Sequence, residues 1–534
     1  MQLRCLFGRA GSTHGREAIW VSLRLPQHQI PVSLQRLFPR ASFVGCADIR
    51  VISATERSDE CGPDSLFAAI RGSRVHGAHY VNDAIERGAS ALLVDCPQPH
   101  VRVPQCVVQD VRRSFAELCA ALAGNPSRRL RICGITGTNG KSTVSWMVRS
   151  ILEATGRRVG LLGTIEYHDG QRSTPATLTT PDARLLASHL AAMVQQDATH
   201  AVLELSSHGL DQSRVAGTEL DVAVITNVTQ DHFDYHGDMQ AYIASKRRIA
   251  EHCKTGGTLV VNQDDPGCRE LVAGLETDVP LTTYGLTEPA DVTAEILEET
   301  LSGSRIRISL HSDPQHSDSA HTDTVDVKLP LVARHNVSNA LAAAVVARKF
   351  GCDLQDIQAG IENLTVVPGR LERVPSQLPI HVFVDYAHTD DALRRCVRFL
   401  GSLADGRVIC VFGAGGDRDR LKRPLLAKAA AEADVAVVTS DNPRSEDPSQ
   451  IANDILAGFA CTQTQVHVEP DRGAAIRWAL RAAEPGDCVL MAGIGHETVQ
   501  VIGSQQRPFD DRLMAGQALL ELEQYFGQPV RKRA

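Results

Sequence analysis

The sequence predicts an α/β fold of three domains. Three observations carry that reading: a chain of 534 residues, short apolar runs alternating with amphipathic helical stretches, and two turn-rich seams. At about 150 residues per domain, the length allows three or four. Hydrophobic residues make up 43% and charged residues 22%, the usage of a folded chain rather than a disordered one. With 63 acidic against 55 basic residues the net charge is -8, which argues against broad binding to nucleic acid or an anionic membrane. No apolar run is long enough to span a bilayer. The 14 cysteines include no Cys-x-x-Cys pair and read as reduced, mostly buried residues of a cytoplasmic protein.

Residues 1–27 carry Arg4, Arg9, Arg16 and Arg24 without a continuous apolar core, and read as an extension rather than a secretory signal. A small α/β domain is expected over 28–126, with strands at 66–70, 89–94 and 106–110 and helices at 80–87 and 114–123. The first seam is Gly124-Asn-Pro-Ser-Arg-Arg129. A central domain over 127–365 follows. Its runs 130–135, 201–205, 222–226 and 258–261 predict parallel strands with crossover helices. Inside it, Ile306/Ile308/Leu310 and Val325/Val327/Leu329 alternate strictly, predicting an antiparallel pair with one wet face. The Ser-, Asp- and His-rich stretch 311–324 reads as their solvated hairpin loop.

The second seam, near 365–369, opens a Rossmann-like domain over 366–534. Its strands at 381–384, 408–412, 435–439 and 488–491 each end in a polar loop: Tyr386-Ala-His-Thr389, Gly413-Ala-Gly-Gly-Asp417, Asp441-Asn-Pro-Arg444 and Gly493-Ile-Gly-His-Glu497. Ligands of open parallel sheets sit at the carboxyl ends of the strands, so four such loops predict one pocket.

Gly134-Ile-Thr-Gly-Thr-Asn-Gly-Lys-Ser-Thr143 is the strongest local signal. An apolar strand precedes it. A helix follows with Val144, Met147, Val148, Ile151 and Leu152 on one face. Gly134–Ser142 has P-loop spacing: backbone amides and a helix N-terminus cradle phosphates, Lys141 neutralises the β/γ oxygens, and Ser142 reaches Mg²⁺. The chain is therefore expected to bind a nucleoside triphosphate. Glu204 ends a strand within Glu204-Leu-Ser-Ser-His208, and Asp231-His-Phe-Asp-Tyr-His236 follows another, offering Glu204 and His232 as metal ligands. A phosphate-bound Mg²⁺ needs only one or two.

Gly137-Thr-Asn-Gly-Lys-Ser-Thr143, Glu204-Leu-Ser-Ser-His208, Asp231-His232 and Tyr242-x-x-x-Lys246 together resemble the Mur ligases. Asn336-Val-Ser-Asn339, Gly369-Arg370, Asp385-Tyr-Ala-His-Thr389 and Gly413-Ala-Gly-Gly-Asp-Arg-Asp419 continue the match over roughly residues 45–525. The resemblance implies a monomeric, ATP- and Mg²⁺-dependent amide ligase of peptidoglycan precursor synthesis. ATP would phosphorylate the D-glutamate γ-carboxylate of UDP-N-acetylmuramoyl-L-alanyl-D-glutamate, and the amine of meso-diaminopimelate would displace the phosphate.

The same resemblance assigns residues. Gly137, Thr138, Asn139, Gly140, Lys141, Ser142 and Thr143, with Asn336, Arg370 and Asp385, would hold ATP. Lys141, Glu204, His232 and Lys246 would be catalytic, with Lys246 carbamylated and joining Ser142, Glu204 and His232 around Mg²⁺. From its local pattern alone Lys246 reads as a solvated helix residue. Thr179, Thr180, Ser206, Gln212 and Arg214 would hold the nucleotide-sugar peptide. Ser58 would too, although Arg57-Ser58-Asp59 inverts the family's Asp-Ser-Arg. Arg418, Asp441, Asn442, Pro443, Arg444, Gly493 and Glu497 would hold diaminopimelate, with Arg444 a planar fork for its distal carboxylate.

Three departures accompany the match: Ile494 replaces a lysine, Ala333 a glycine and Asp390 a proline. The competing readings are ligation of lysine or another diamino acid, and a non-catalytic nucleotide-binding regulator of the same fold. Folylpolyglutamate synthases share the P-loop and metal residues but lack the muramyl-type positions. A dinucleotide-binding dehydrogenase fails because Arg418 occupies the place of the third glycine in Gly-x-Gly-x-x-Gly.

Overall fold

The computed structural model describes residues 30–72, 75–311, 322–460 and 462–527. The expected extension 1–27 and the body of the expected hairpin loop, 312–321, lie outside the described residues.

The N-terminal sheet has five strands in the order Ser42–Val44, Gln105–Val107, Ala91–Val94, Ser65–Ala68, Ser53–Thr55. Only the first pair is antiparallel. Helix Val111–Leu122 starts at Asp110, whose carboxylate caps the Arg113 amide. It buries Val111, Phe115, Leu118 and Cys119 at helical spacing against Leu66, Leu93 and Cys106.

The central sheet has 11 strands. Its parallel core runs Val159–Leu162, His200–Glu204, Arg131–Thr136, Leu220–Ile225, Cys253–Asn262, Leu281–Gly285. Helix Lys141–Ala154 buries the predicted face, Val144, Met147, Val148, Ile151 and Leu152. Helix Arg334–Lys349, apolar throughout 340–347, packs beside it on the same face of the sheet. The expected antiparallel pair forms, with Ile306 opposite Val327 and Ile308 opposite Val325. Its strands run further than expected, pairing His311 with Thr322, and a third strand, Val292–Thr300, joins the other side. Helix Arg334–Lys349 begins at Ala333, which holds φ 79° and ψ 143° with its side chain buried.

The C-terminal sheet runs Glu372–Arg373, His381–Asp385, Cys488–Ala492, Val408–Phe412, Val435–Val438, Gln465–Val468, parallel except at its first pair. Alternation sends Phe383 to one core and Val382 and Val384 to the other. Helix Asp511–Gly527 is bolted to helix Arg472–Ala482 by a fully buried Arg472–Asp511 ion pair at 2.6 Å. Arg472 Nη2 also donates to the carbonyl of Ala492, at the end of a central strand. Contacts that join the domains include Arg184–Glu60 at 2.6 Å, Lys422–Asp231 at 2.8 Å, and Arg370 Nη2 donating to Ser142 Oγ at 3.2 Å.

Candidate active site

The P-loop connects the middle strand Arg131–Thr136 to helix Lys141–Ala154. Gly140 takes φ 87°, and a Cβ there would come within 2.5 Å of Asn339 Oδ1, so only glycine fits the turn. Two residues the sequence reading passed over fix the loop's path. The Asn139 carbonyl accepts from Thr226 Oγ1 at 2.6 Å and Asn227 Nδ2 at 3.0 Å, and the Asn139 amide donates to Asn227 Oδ1 at 2.8 Å. Their place just past strand Leu220–Ile225 was the available signal. Lys141 Nζ donates to the carbonyls of Gly137 and Thr138 at 2.8 and 2.9 Å. Burial lowers its pKa, and Glu204 opposes that.

Glu204 is 1% exposed, yet its carboxylate is fully served. Oε2 accepts from Ser142 Oγ at 3.0 Å and Thr164 Oγ1 at 2.7 Å, and Oε1 from Ser145 Oγ at 3.3 Å. Thr164 was not foreseen. It lies just beyond the end of strand Val159–Leu162, where strand-end logic would have found it.

His232 stands in the left-handed region at φ 54°, its Nε2 3.3 Å from Asp231 Oδ2. Burial pushes its pKa down to about 4, leaving a neutral ring at pH 7. Asp231 is held well below the carboxylate range by His232 and Lys422, against the effect of burial.

Lys246 corrects the local reading: on helix Met239–Arg247 it is 1% exposed, with Nζ 4.5 Å from the centre of the Tyr242 ring. Burial, reinforced by the charge of Lys141, drives its pKa far below the ordinary lysine value.

Beside the P-loop opens a cleft of about 410 Å³, lined by Asn139, Gly140, Thr143, Asn336, Arg370 and Asp385 among others. Asn336 is anchored through Nδ2 to the Val332 carbonyl at 2.7 Å, and Asp385 accepts the Leu371 amide at 2.6 Å.

On the other side of Glu204, the structure joins the expected substrate positions. Thr180 Oγ1 donates to the Glu204 carbonyl and lies 3.1 Å from Ser206 Oγ, and Thr179 Oγ1 is 3.1 Å from Thr164 Oγ1. Arg214 donates to the Thr180 carbonyl at 2.8 Å and to Gln212 Oε1 at 2.7 Å. Ser58 stands apart, in the short 3-10 turn Ser58–Glu60 of the N-terminal domain and bonded to Asp83.

The four C-terminal loops converge. Asn442 Nδ2 donates to Glu497 Oε2 at 2.8 Å, and Tyr386 OH to Glu497 Oε1 at 3.4 Å. Arg444 Nη1 donates to the Gly416 carbonyl at 2.7 Å, and a Cβ on Gly493 would meet Asp441 Oδ2 at 2.5 Å. Burial, with Asp441 nearby, raises the Glu497 pKa. Pro443 keeps the turn, its carbonyl accepting the Glu446 amide, while Arg418 is exposed at the rim. Lys422 was also unforeseen. Its signal was its position at the start of helix Lys422–Ala430, three residues past the Gly413–Asp419 loop.

A P-loop facing one buried glutamate, with a Rossmann-like domain tied across it through Arg370 and Lys422, defines an ATP-using α/β enzyme of ligase architecture. Residues 55–123 match the Mur ligase family catalytic domain, 135–347 the Mur ligase middle domain, and 369–495 the Mur ligase glutamate ligase domain. The chain belongs to the Mur ligase family and is an ATP-dependent, amide-forming ligase.

It is 41% identical to the UDP-N-acetylmuramoyl-L-alanyl-D-glutamate--2,6-diaminopimelate ligase of Geobacillus thermodenitrificans, over 86% of this chain and 93% of that one. Identity to the Chlamydia trachomatis ligase of the same name is 40%, over 89% and 96%. A solved structure of such a ligase superposes with a TM-score of 0.65 at 30% identity, covering 92% of this chain and all of the other. A Mycobacterium tuberculosis folylpolyglutamate synthase shares the fold, with a TM-score of 0.58 at 21% identity over 78% of this chain and 96% of that one. Among the described residues, no helix is long and apolar enough to cross a membrane.

Proposed function

We propose that this ligase joins meso-diaminopimelate to the D-glutamate γ-carboxylate of UDP-N-acetylmuramoyl-L-alanyl-D-glutamate, a step of peptidoglycan precursor synthesis. ATP binds in the cleft beside Asn336, Arg370 and Asp385. Lys141 exchanges its two backbone carbonyls for phosphate oxygens, and the P-loop amides complete the cradle. Thr179, Thr180, Ser206, Gln212 and Arg214 hold the nucleotide-sugar peptide, with Ser58 toward its uridine end. Its γ-carboxylate takes the phosphoryl group as an acyl phosphate. The diaminopimelate amine then attacks the acyl carbon, phosphate leaves, and the amide forms. Such a reaction rests on positioning and charge neutralisation.

The donor pair of Glu204 and Ser142 fits Mg²⁺, since a carboxylate and a hydroxyl are hard oxygen ligands; by the family pattern His232 would be a further one. Mg²⁺, when bound, neutralises charge that builds on the transferring phosphoryl group. Burial, reinforced by the charge of Lys141, pushes the Lys246 pKa far below the ordinary lysine value and so favours the free lone pair that carbamylation by carbon dioxide requires; its carbamate would add an anionic oxygen ligand.

The observation that carries the substrate choice is the Asp441–Arg444 loop. Arg444 offers a guanidinium for the distal carboxylate that distinguishes diaminopimelate from lysine, while Asp441 and Glu497 are acceptors for ammonium. Losing a charge-assisted bidentate contact costs about 1.5–3 kcal/mol, roughly a ten- to hundredfold change in affinity. The test is phosphate release from ATP and UDP-muramoyl dipeptide with each amino acid, on native and Arg444→Ala protein. Arg444→Ala is expected to raise KM for meso-diaminopimelate by that factor, leave KM for ATP unchanged, and affect lysine far less. Equal weakening of the two amino acids sinks the assignment.

A further inference from the structure

Arg444 is a strained residue, at φ 50°, and its guanidinium has to be aimed by something other than its own backbone preference. Two contacts pin its main chain: its amide donates to the Val501 carbonyl at 3.1 Å, and its carbonyl accepts the Gly503 amide at 2.7 Å. The remainder of the grip comes from the neighbouring loop. Gly416 lies so close to Pro443 that a Cβ would sit 1.9 Å from the Pro443 carbonyl oxygen. Asp417 accepts from Ser445 Oγ at 2.6 Å and from the Ser445 amide at 3.2 Å, while the Asp417 amide donates to Glu446 Oε1 at 2.6 Å.

Glu446 is where these loops meet the rigid scaffold. Its carboxylate also accepts from Arg420 and Arg423, each at 2.8 Å. Arg423 is 1% exposed and is tied at its other nitrogen to Asp454 Oδ2 at 2.8 Å, on helix Pro448–Leu456. The hydrogen bond from Arg423, with the Asp417 amide and Arg420, holds the Glu446 carboxyl down at about 2, so it stays charged throughout the working range. Nothing in the amino-acid pocket needs Glu446 as a ligand. Its partners are the two loops and the helix behind them.

We propose that Glu446 is a positioning residue for amino-acid selection: it locks the Gly413–Asp417 loop against the Asp441–Arg444 loop so that the Arg444 guanidinium is presented at a fixed reach. The inference rests on the reading of Arg444 as the distal-carboxylate ligand. Glu446 acts through Arg444 and belongs to discrimination between substrates, not to phosphoryl transfer.

The test compares meso-diaminopimelate with lysine on five full-length proteins: native, Glu446→Gln, Arg444→Ala, the double variant and Asp417→Asn. Asp417→Asn, which loosens the same clamp from its exposed side, guards against a folding defect at the buried arginine. Glu446→Gln and Asp417→Asn are each expected to raise KM for meso-diaminopimelate about tenfold. Saturating kcat and KM for ATP should stay within about twofold, and KM for lysine should hardly move. In the Arg444→Ala background, Glu446→Gln should add less than twofold. Two results overturn the proposal while leaving the substrate reading standing: Arg444→Ala discriminates but Glu446→Gln and Asp417→Asn weaken both amino acids equally, or Glu446→Gln adds its full effect to Arg444→Ala. If Arg444→Ala itself does not discriminate, the substrate reading falls and the proposal with it.

Discussion

Burial, reinforced by the charge of Lys141, pushes the pKa of Lys246, a lysine only 1% exposed, well below the ordinary lysine value. That shift suits Lys246 to carbamylation, and it sets a prediction. Lys246→Ala should lose at least about 99% of ligation, and formate or acetate should restore part of it by supplying the missing anion, while the same acids leave native protein unaffected. Full activity of the unsupplemented variant refutes the assignment. Other residues were legible in different degrees. Lys141 and Ser142 could be read from spacing, because a phosphate cradle needs glycines and a lysine at fixed offsets. Lys246 could not, because its burial comes from packing against segments remote in sequence. The hydroxyls on Glu204 also converge from separate segments, and a single chain read in order does not reveal who stands opposite whom.

At the scale of elements, helix Arg334–Lys349 starts under strain. Ala333 holds φ 79° with ψ 143°, a conformation that suits glycine and costs other residues of order 1–3 kcal/mol. Ala333→Gly is therefore expected to stabilise the protein by about 1 kcal/mol, after the greater flexibility of glycine in the unfolded chain is offset. Thermal unfolding of the two proteins checks it, and an unchanged or lower midpoint would show that the backbone there is relaxed. Elements with a full apolar period were readable from sequence: helix Lys141–Ala154 and the Ile306/Val327 strand pair formed as expected. Strand Val292–Thr300 was hidden because its apolar alternation, Val292, Ala294 and Ile296, is short and is broken by a bulge between Ile296 and Glu298. The short edge strands Ser42–Val44 and Ser53–Thr55 are too brief to show any period.

For the molecule as a whole, acid sensitivity should begin with histidines and not with carboxylates. Burial pushes His200 down to about 4, with Nε2 lacking a hydrogen-bond partner and the ring edge-on to Phe350 at 5.0 Å. His252 is likewise pushed to about 4 by burial. The unfolded chain takes those protons near pH 6.5, so it binds more protons than the folded state between about 6.5 and 4. Stability is then full above about pH 6.5 and declines as pH falls toward 4, by up to about 3 kcal/mol for His200 alone. Denaturant midpoints measured from pH 7.5 to 4.5 should fall steadily for native protein and less steeply for His200→Phe. Parallel curves would place the acid response elsewhere.

The Arg472–Asp511 pair has a practical meaning for anyone cutting or labelling the chain. A truncation ending at residue 510 seals a guanidinium inside the domain with its counter-charge gone, a loss of about 3–5 kcal/mol for a broken buried pair. The same cut frees the Ala492 end of the strand that leads to Gly493, so the harm reaches the amino-acid pocket from behind. Fusions and fluorophores belong beyond the last helix, where they leave that bolt in place. Shortened forms should come out insoluble or unable to select an amino acid, whatever their P-loop can still do.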